Sequence, residues 1–159
     1  MINQYFSAME KTTIFFVCDS TQTPDIKKHA ELFKKQLLEK LKEGFSQLIL
    51  SAVPEEKLLN SMFAVSILDL NVNNLDEIYD QMRGESQQDI LVFYYDTNST
   101  FVLGMLAGAV IREGRMDVVI VSQTDEIPKF IRNGNKCLRN PRCKFVSYKD
   151  SIEVSDVIT

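Results

Sequence analysis

A doubly wound α/β sandwich, with helices on both faces of a parallel sheet of about five strands, is the fold this sequence predicts. Three observations predict it. "TTIFFVC" (12–18), "DILVFYY" (89–95) and "DVVIVS" (117–122) are continuous apolar runs rather than alternating ones, as strands buried on both faces should be. The segments between them carry helical spacing with start and stop signals. Strands and helices alternate along the chain, which is the pattern of right-handed βαβ units.

Taken in order, the first strand is followed by "TPDIKKHAELFKKQLLEKLKEG". Thr23 reads as its N-cap, Pro24 as the first helical position and Asp25 as an acid in the first turn. Ile26, Ala30, Phe33, Leu37, Leu38 and Leu41 make one apolar stripe, and Gly44 ends the helix. "SQLILSAV" (46–53) is a weaker strand candidate, and residues 55–70, rich in Leu and Met, read as helical. A helix over 74–83 follows, with Asn74 and Glu77 at capping-box spacing and Gly84 as its stop. After the strand 89–95 come a helix over 100–113 ending at Gly114 and the strand 117–122. A short helix over 125–133 and a second weak strand candidate, "CKFVSY" (143–148), complete the chain. No repeat, low-complexity tract or linker divides it, so residues 1–159 are expected to form one domain.

Net charge is −4 and the pI about 5.1, which argues against a general nucleic-acid or anionic-membrane binder. No apolar run approaches the ~18 residues of a membrane span, and "MINQYFSAMEK" has no leader pattern. The three cysteines do not make a disulfide framework, so a reducing cytoplasm is the expected location. Cys137 and Cys143 with the single histidine, His29, match no zinc spacing, and no metal or cofactor is expected.

In doubly wound sheets a ligand sits beyond the carboxyl ends of the strands, where the strand order reverses. With the order 2-1-3-4-5, the first and third strands flank that crevice. Just past them stand Cys18-Asp19-Ser20 and Asp96-Thr97-Asn98-Ser99, joined by Ser122, Gln123 and Thr124 after the fourth. This cluster is rich in hydroxyls and amides and holds two carboxylates, Asp19 and Asp96. The same residue types also make good turns and caps without any ligand. Cys18 has no second histidine to activate it and is expected to be a buried, inert thiol. His29, beside Lys27 and Lys28, is expected on a solvated face.

Thr100–Ile111 carries no charge. Gly104, Ala107, Gly108 and Ile111 share one helical face, where glycines permit close backbone approach. Phe101, Val102, Met105, Leu106 and Val110 cover most of the remainder, so this helix is expected to be buried on more than one side. Another copy of the chain, making a homo-oligomer, or loops of the same chain would each supply the second cover.

Three stretches, "KTTIFF", "YDQMRGESQQDILVFYY" and "LGMLAGAVIREGRMDVVIV", together resemble the nucleoside 2-deoxyribosyltransferase family. They are similar in turn to its first strand, to the aspartate-bearing helix before its third strand, and to its signature helix Gly-Met-Glu-x-Gly. The resemblance spans most of the chain and rests on glycine spacing and layout. It implies a flavodoxin-like fold and a small-molecule ligand, a nucleoside or nucleotide. The family's glutamate attacks the sugar carbon through an oxocarbenium-like transition state and holds it as a covalent intermediate.

In register with Gly104, Met105 and Gly108, that glutamate is replaced by Leu106, and Thr100–Arg112 contains no acid in any register. Phe15 stands where the family often has a tyrosine, and Thr100 near an expected aspartate. "SIEVSDVIT" lacks the family's C-terminal aromatic. Asp80 corresponds to the aspartate that contacts the base.

The expected function is therefore nucleoside or nucleotide binding without the family's transferase chemistry. Phe15, Asp19, Asp80, Asp96, Asn98, Ser99, Met105 and Leu106 are the candidate ligand-binding residues. The alternative is an active N-glycosidic transferase or hydrolase whose carboxylate is relocated to Asp96 or Asp19. The acid-free basic stretch from Lys129 to Lys144 would hold a phosphate or anionic nucleotide, meet an acidic partner or neighbouring subunit, or form a solvated face.

Overall fold

The computed structural model describes residues 11–21, 23–70, 76–77, 80, 89–94, 116–123 and 143–158. Its centre is a five-stranded, all-parallel sheet with the order β2-β1-β3-β4-β5. The strands are β1 (Thr12–Cys18), β2 (Phe63–Asp69), β3 (Ile90–Tyr94), β4 (Asp117–Ser122) and β5 (Cys143–Ser147). The fold is thus the doubly wound α/β class that the apolar runs predict, flavodoxin-like as the resemblance implies, and its order is the one that sets the crevice between the first and third strands. β3 is buried along its whole length, as a central parallel strand covered on both faces must be.

Parallel register stacks like faces. Ile14 and Phe16 of β1 pair with Val65 and Ile67 of β2 on one side and with Ile90 and Val92 of β3 on the other. Val92 and Tyr94 continue to Val119 and Val121 of β4. Helix α1 (Ile26–Gly44) lays Ile26, Ala30, Phe33 and Leu37 on this face, and the C-terminal residues Ile152, Val154 and Val157 extend the same core. Phe16 and Phe33 meet edge to face at 5.3 Å, a favoured aromatic geometry. Gln36 of α1 accepts a hydrogen bond from the Val154 backbone N–H at 3.1 Å, where the short helix α4 (Val154–Val157) begins. On the opposite face Val17, Leu91, Phe93 and Val118 are buried as well.

Several sequence expectations are corrected. α1 starts at Ile26 rather than after Thr23: the Ile26 N–H donates to the Thr23 carbonyl at 3.3 Å and closes a turn over Pro24 and Asp25. Residues 46–53 are not a strand. Gln47–Ala52 form helix α2, whose N-cap Ser46 accepts from the Ile49 N–H at 3.5 Å. None of its side chains is buried, so packing does not select an extended form there.

Residues 55–70 are not one helix. Helix α3 (Glu55–Met62) buries only Leu58 and passes directly into β2 at Phe63. No glycine or proline marks that change. β2 lies at the sheet edge and is mostly half-buried, which explains why it lacks the apolar run of the inner strands. Lys42 near the end of α1 pairs with Glu55 at the start of α3, each opposite in sign to the helix end it occupies. Among the described residues no helix is long and apolar enough to cross a membrane. The expected helices over 100–113 and 125–133 lie outside the described residues, as does most of 74–83.

Candidate functional site at the carboxyl edge

Because all five strands run the same way, their carboxyl ends share one edge: Cys18, Asp69, Tyr94, Ser122 and Ser147 close β1 to β5. The order reverses between β1 and β3, so the crevice of a doubly wound sheet falls beside Cys18 and Tyr94. The loop after β1 is held from two directions. The Asp19 Oδ1 atom accepts from the Thr21 N–H at 3.0 Å and from the Thr21 hydroxyl at 2.6 Å. The Ser20 N–H donates to Asp69 Oδ1 at 3.1 Å, tying the loop to the end of β2. Thr23 N–H closes back on the Asp19 carbonyl at 2.9 Å. Asp19 therefore sits at the edge where the sequence places it, with its carboxylate engaged in a local turn.

Cys18 is buried and free, as expected. Burial first, then the negative charges of Asp69 and Asp19, push its thiol up to about 12. A nucleophilic cysteine requires the reverse, an electropositive setting that favours thiolate. Iodoacetamide at pH 8 is accordingly expected to label Cys18 in the native protein about a thousandfold more slowly than in urea, followed by peptide mapping. Comparable native and unfolded rates would show that the thiol is reachable and ionisable.

The α1 side of this edge carries a cluster that the sequence did not single out. His29 is not on a solvated face: it is 6% exposed, one turn after Asp25, on the stripe that continues through Phe33 and Leu37. Its Nδ1 lies 3.2 Å from the Tyr94 hydroxyl. The imidazole stands 5.6 Å from the Tyr94 ring and 5.6 Å, edge to face, from the Tyr148 ring. The two phenol rings are 5.8 Å apart. Tyr148 is positioned by its N–H donating to the Ser122 carbonyl at 2.9 Å, which carries the β4–β5 pairing one residue beyond β5. Burial, with Tyr148 and Cys18 adding to it, raises the Tyr94 phenol above its ordinary range. Burial likewise lowers the His29 imidazole, with Asp25 opposing and Lys28 assisting. Both groups are thereby held neutral near pH 7.

The remaining candidates are placed unevenly. Phe15 is half-buried in the middle of β1, on the face opposite Phe16 and α1, about 13 Å of strand before Asp19. It belongs to the wall of the sheet rather than its carboxyl rim. Asp80 is helical and exposed. Asp96, Asn98, Ser99, Met105 and Leu106 lie outside the described residues, as does the basic stretch from Lys129 to Arg142. Lys144 is half-buried within β5.

Sequence reasoning missed Asp69, Tyr94 and Tyr148. Asp69 was hidden because 55–70 reads as helix, although "FAVSILD" ends on a lone acid as a strand tip would. Among the described residues, no group of three or more His, Cys, Asp or Glu side chains could hold a metal ion. No family model, curated protein or solved structure matches the chain.

Proposed function

We propose that the protein binds a nucleoside or nucleotide in the crevice at the carboxyl ends of β1 and β3, and does not transfer deoxyribose by the route of the enzymes it resembles. The observation that carries this reading is the strand order, which sets the switch point beside Cys18 and Asp19 on β1 and beside Tyr94 on β3. Asp96, Asn98 and Ser99 follow Tyr94 closely in sequence and supply further polar contacts. Asp80 meets the base, and Met105 and Leu106 give apolar walls, whereas Phe15, in the middle of β1, is too far from the carboxyl edge to do so.

The absence of transfer chemistry rests on composition. An oxocarbenium-like transition state needs an adjacent carboxylate, and Thr100–Arg112 has none. Asp19 is a poor replacement because its Oδ1 already accepts two hydrogen bonds within its own turn. The Cys18 thiol, held protonated, is no replacement either.

The test is a pair of measurements on the intact chain with deoxynucleosides and nucleotides. Thermal unfolding should shift upward with at least one of them; a ligand at a hundred times its Kd adds about 2.7 kcal/mol. Incubation with a deoxynucleoside and a second free base, followed by chromatography, should yield no new nucleoside and no released base. No thermal shift across the panel would sink the binding reading. Turnover that disappears in Asp96→Asn or Asp19→Asn would establish a relocated carboxylate instead.

A further inference from the structure

Among the described residues, the first turn of α1 meets the carboxyl ends of β3 and β5 through His29, Tyr94 and Tyr148, and His29 is the single histidine of the sequence. We infer that His29, Tyr94 and Tyr148 form a proton-sensitive latch: protonation of the imidazole releases the first turn of α1 from the carboxyl ends of β3 and β5. The inference does not depend on the nucleoside reading, since it concerns how the edge is held together.

The neutral pair is well matched. A neutral imidazole and a phenol each offer one donor and one acceptor, so the 3.2 Å contact is satisfied with either ring tautomer. A proton taken from water changes that. The ring becomes a cation with two donors, and among the described residues Asp25 of its own helix is the carboxylate that acts on it. From β3 it meets the Tyr94 phenol, and from the residue after β5 the Tyr148 ring. Beyond Tyr94 stands the protonated Cys18 thiol of β1. On α1 itself Asp25 favours the cation and Lys28 opposes it. The positive end of the helix dipole, one turn away, adds to the opposition. An imidazolium there must turn outward to water, and the helix turn that carries it must yield.

Among the described residues, that turn has little else to hold it. Asp25 at the N-cap makes no side-chain capping bond, and the first turn contains no acidic residue. Its anchorage is the burial of Ile26, His29 and Ala30. Farther along, Phe33 and Leu37 are locked into the core against Phe16 and its neighbours. The opening is therefore local to the first turn, and it uncovers Tyr94 beside Cys18.

The sign follows from the direction of the shift. The folded imidazole binds its proton more weakly than the exposed one, whose ordinary value is 6.5. The open form therefore gains protons first as pH falls. The latch is complete above pH 6.5 and weakens as pH drops through 6.5 toward the lowered folded value. In the window of about pH 5.5–7, His29 is the side chain whose ordinary range falls inside, because carboxylates titrate lower and thiols higher.

The experiment is amide hydrogen exchange on the full chain by NMR at several pH values between about 7.5 and 5.5, corrected for intrinsic rates, with the imidazole titration followed in the same samples. Opening at the His29 and Ala30 amides should rise by up to about tenfold per pH unit below 6.5. Amides near Leu37 should hold their protection, and the imidazole should titrate below 6.5. First-turn protection that is flat with pH would overturn the latch. So would an imidazole titrating at or above 6.5 with the turn intact. In His29→Gln the pH response should vanish, and its persistence there would also overturn the proposal. If that variant does not fold, the wild-type titration and exchange profile decide alone.

Discussion

Phe16→Ala is expected to destabilise the protein by about 3–5 kcal/mol, read as a lowered urea midpoint with an unchanged slope. Phe16 has no exposed surface and stands in the middle of β1, where it touches both layers of one core. Its ring meets Phe33 of α1 edge to face at 5.3 Å and Tyr94 of β3 at 6.0 Å. Truncation removes the buried area of the ring, leaves a cavity that the sheet backbone cannot collapse around, and deletes two aromatic contacts. The loss is comparable with the whole stability of a small domain, so the variant should be partly unfolded at 37 °C. A cost under about 1 kcal/mol would mean that α1 does not pack on β1 as described.

Val92→Asp is expected to abolish cooperative folding at pH 7, with a larger effect than its uncharged counterpart Val92→Asn. Val92 is fully buried at the centre of β3, between Phe16 of β1 and Val119 of β4. An ionised carboxylate there finds no cation among the described neighbours and costs several kcal/mol beyond the polar penalty that both variants share. Burial would raise the folded pKa of that carboxyl above its ordinary ~3.9, so the Asp-specific penalty grows as pH rises above about 4. The stability difference between the two variants should accordingly shrink as pH falls toward 4. Equal stability at pH 7, by circular dichroism during urea titration, would mean that water or a counter-charge reaches the centre of the sheet.

The contrast between β3 and β2 shows why one strand was legible and the other was not. β3 is buried on both faces, so it needs apolar side chains at every position, and a run such as "DILVFYY" has few other uses. β2 is an edge strand with half-buried residues, and "FAVSILD" is compatible with helix or strand when read locally. What selects the strand is its parallel pairing with β1 from Thr12↔Phe63 to Cys18↔Asp69, a partner fifty residues away. The same reasoning covers α2. "SQLILSAV" has strand composition, but it pairs with no strand among the described residues, and the Ser46 cap and local hydrogen bonds favour a short helix. His29 was misjudged because Lys27 and Lys28 precede it, although its spacing to Phe33 already placed it on the apolar stripe.

The candidate site divides along the same line. Asp19 was legible because it directly follows a strand whose identity was unmistakable. Asp69 depended on recognising β2, and Tyr94 and Tyr148 become partners of His29 only when α1 folds back onto the ends of β3 and β5.

By itself, the sequence determined the class of fold, the three inner strands, the body of α1 and the lack of any acid across Thr100–Arg112. These are properties of composition and periodicity, which depend on residues close together in the chain. Tertiary structure alone decided the edge strand and the burial of His29. It also joined Asp69 to the loop after β1. Each of these depends on contacts between residues distant in sequence, whose energies outweigh local preferences of a few tenths of a kcal/mol per residue.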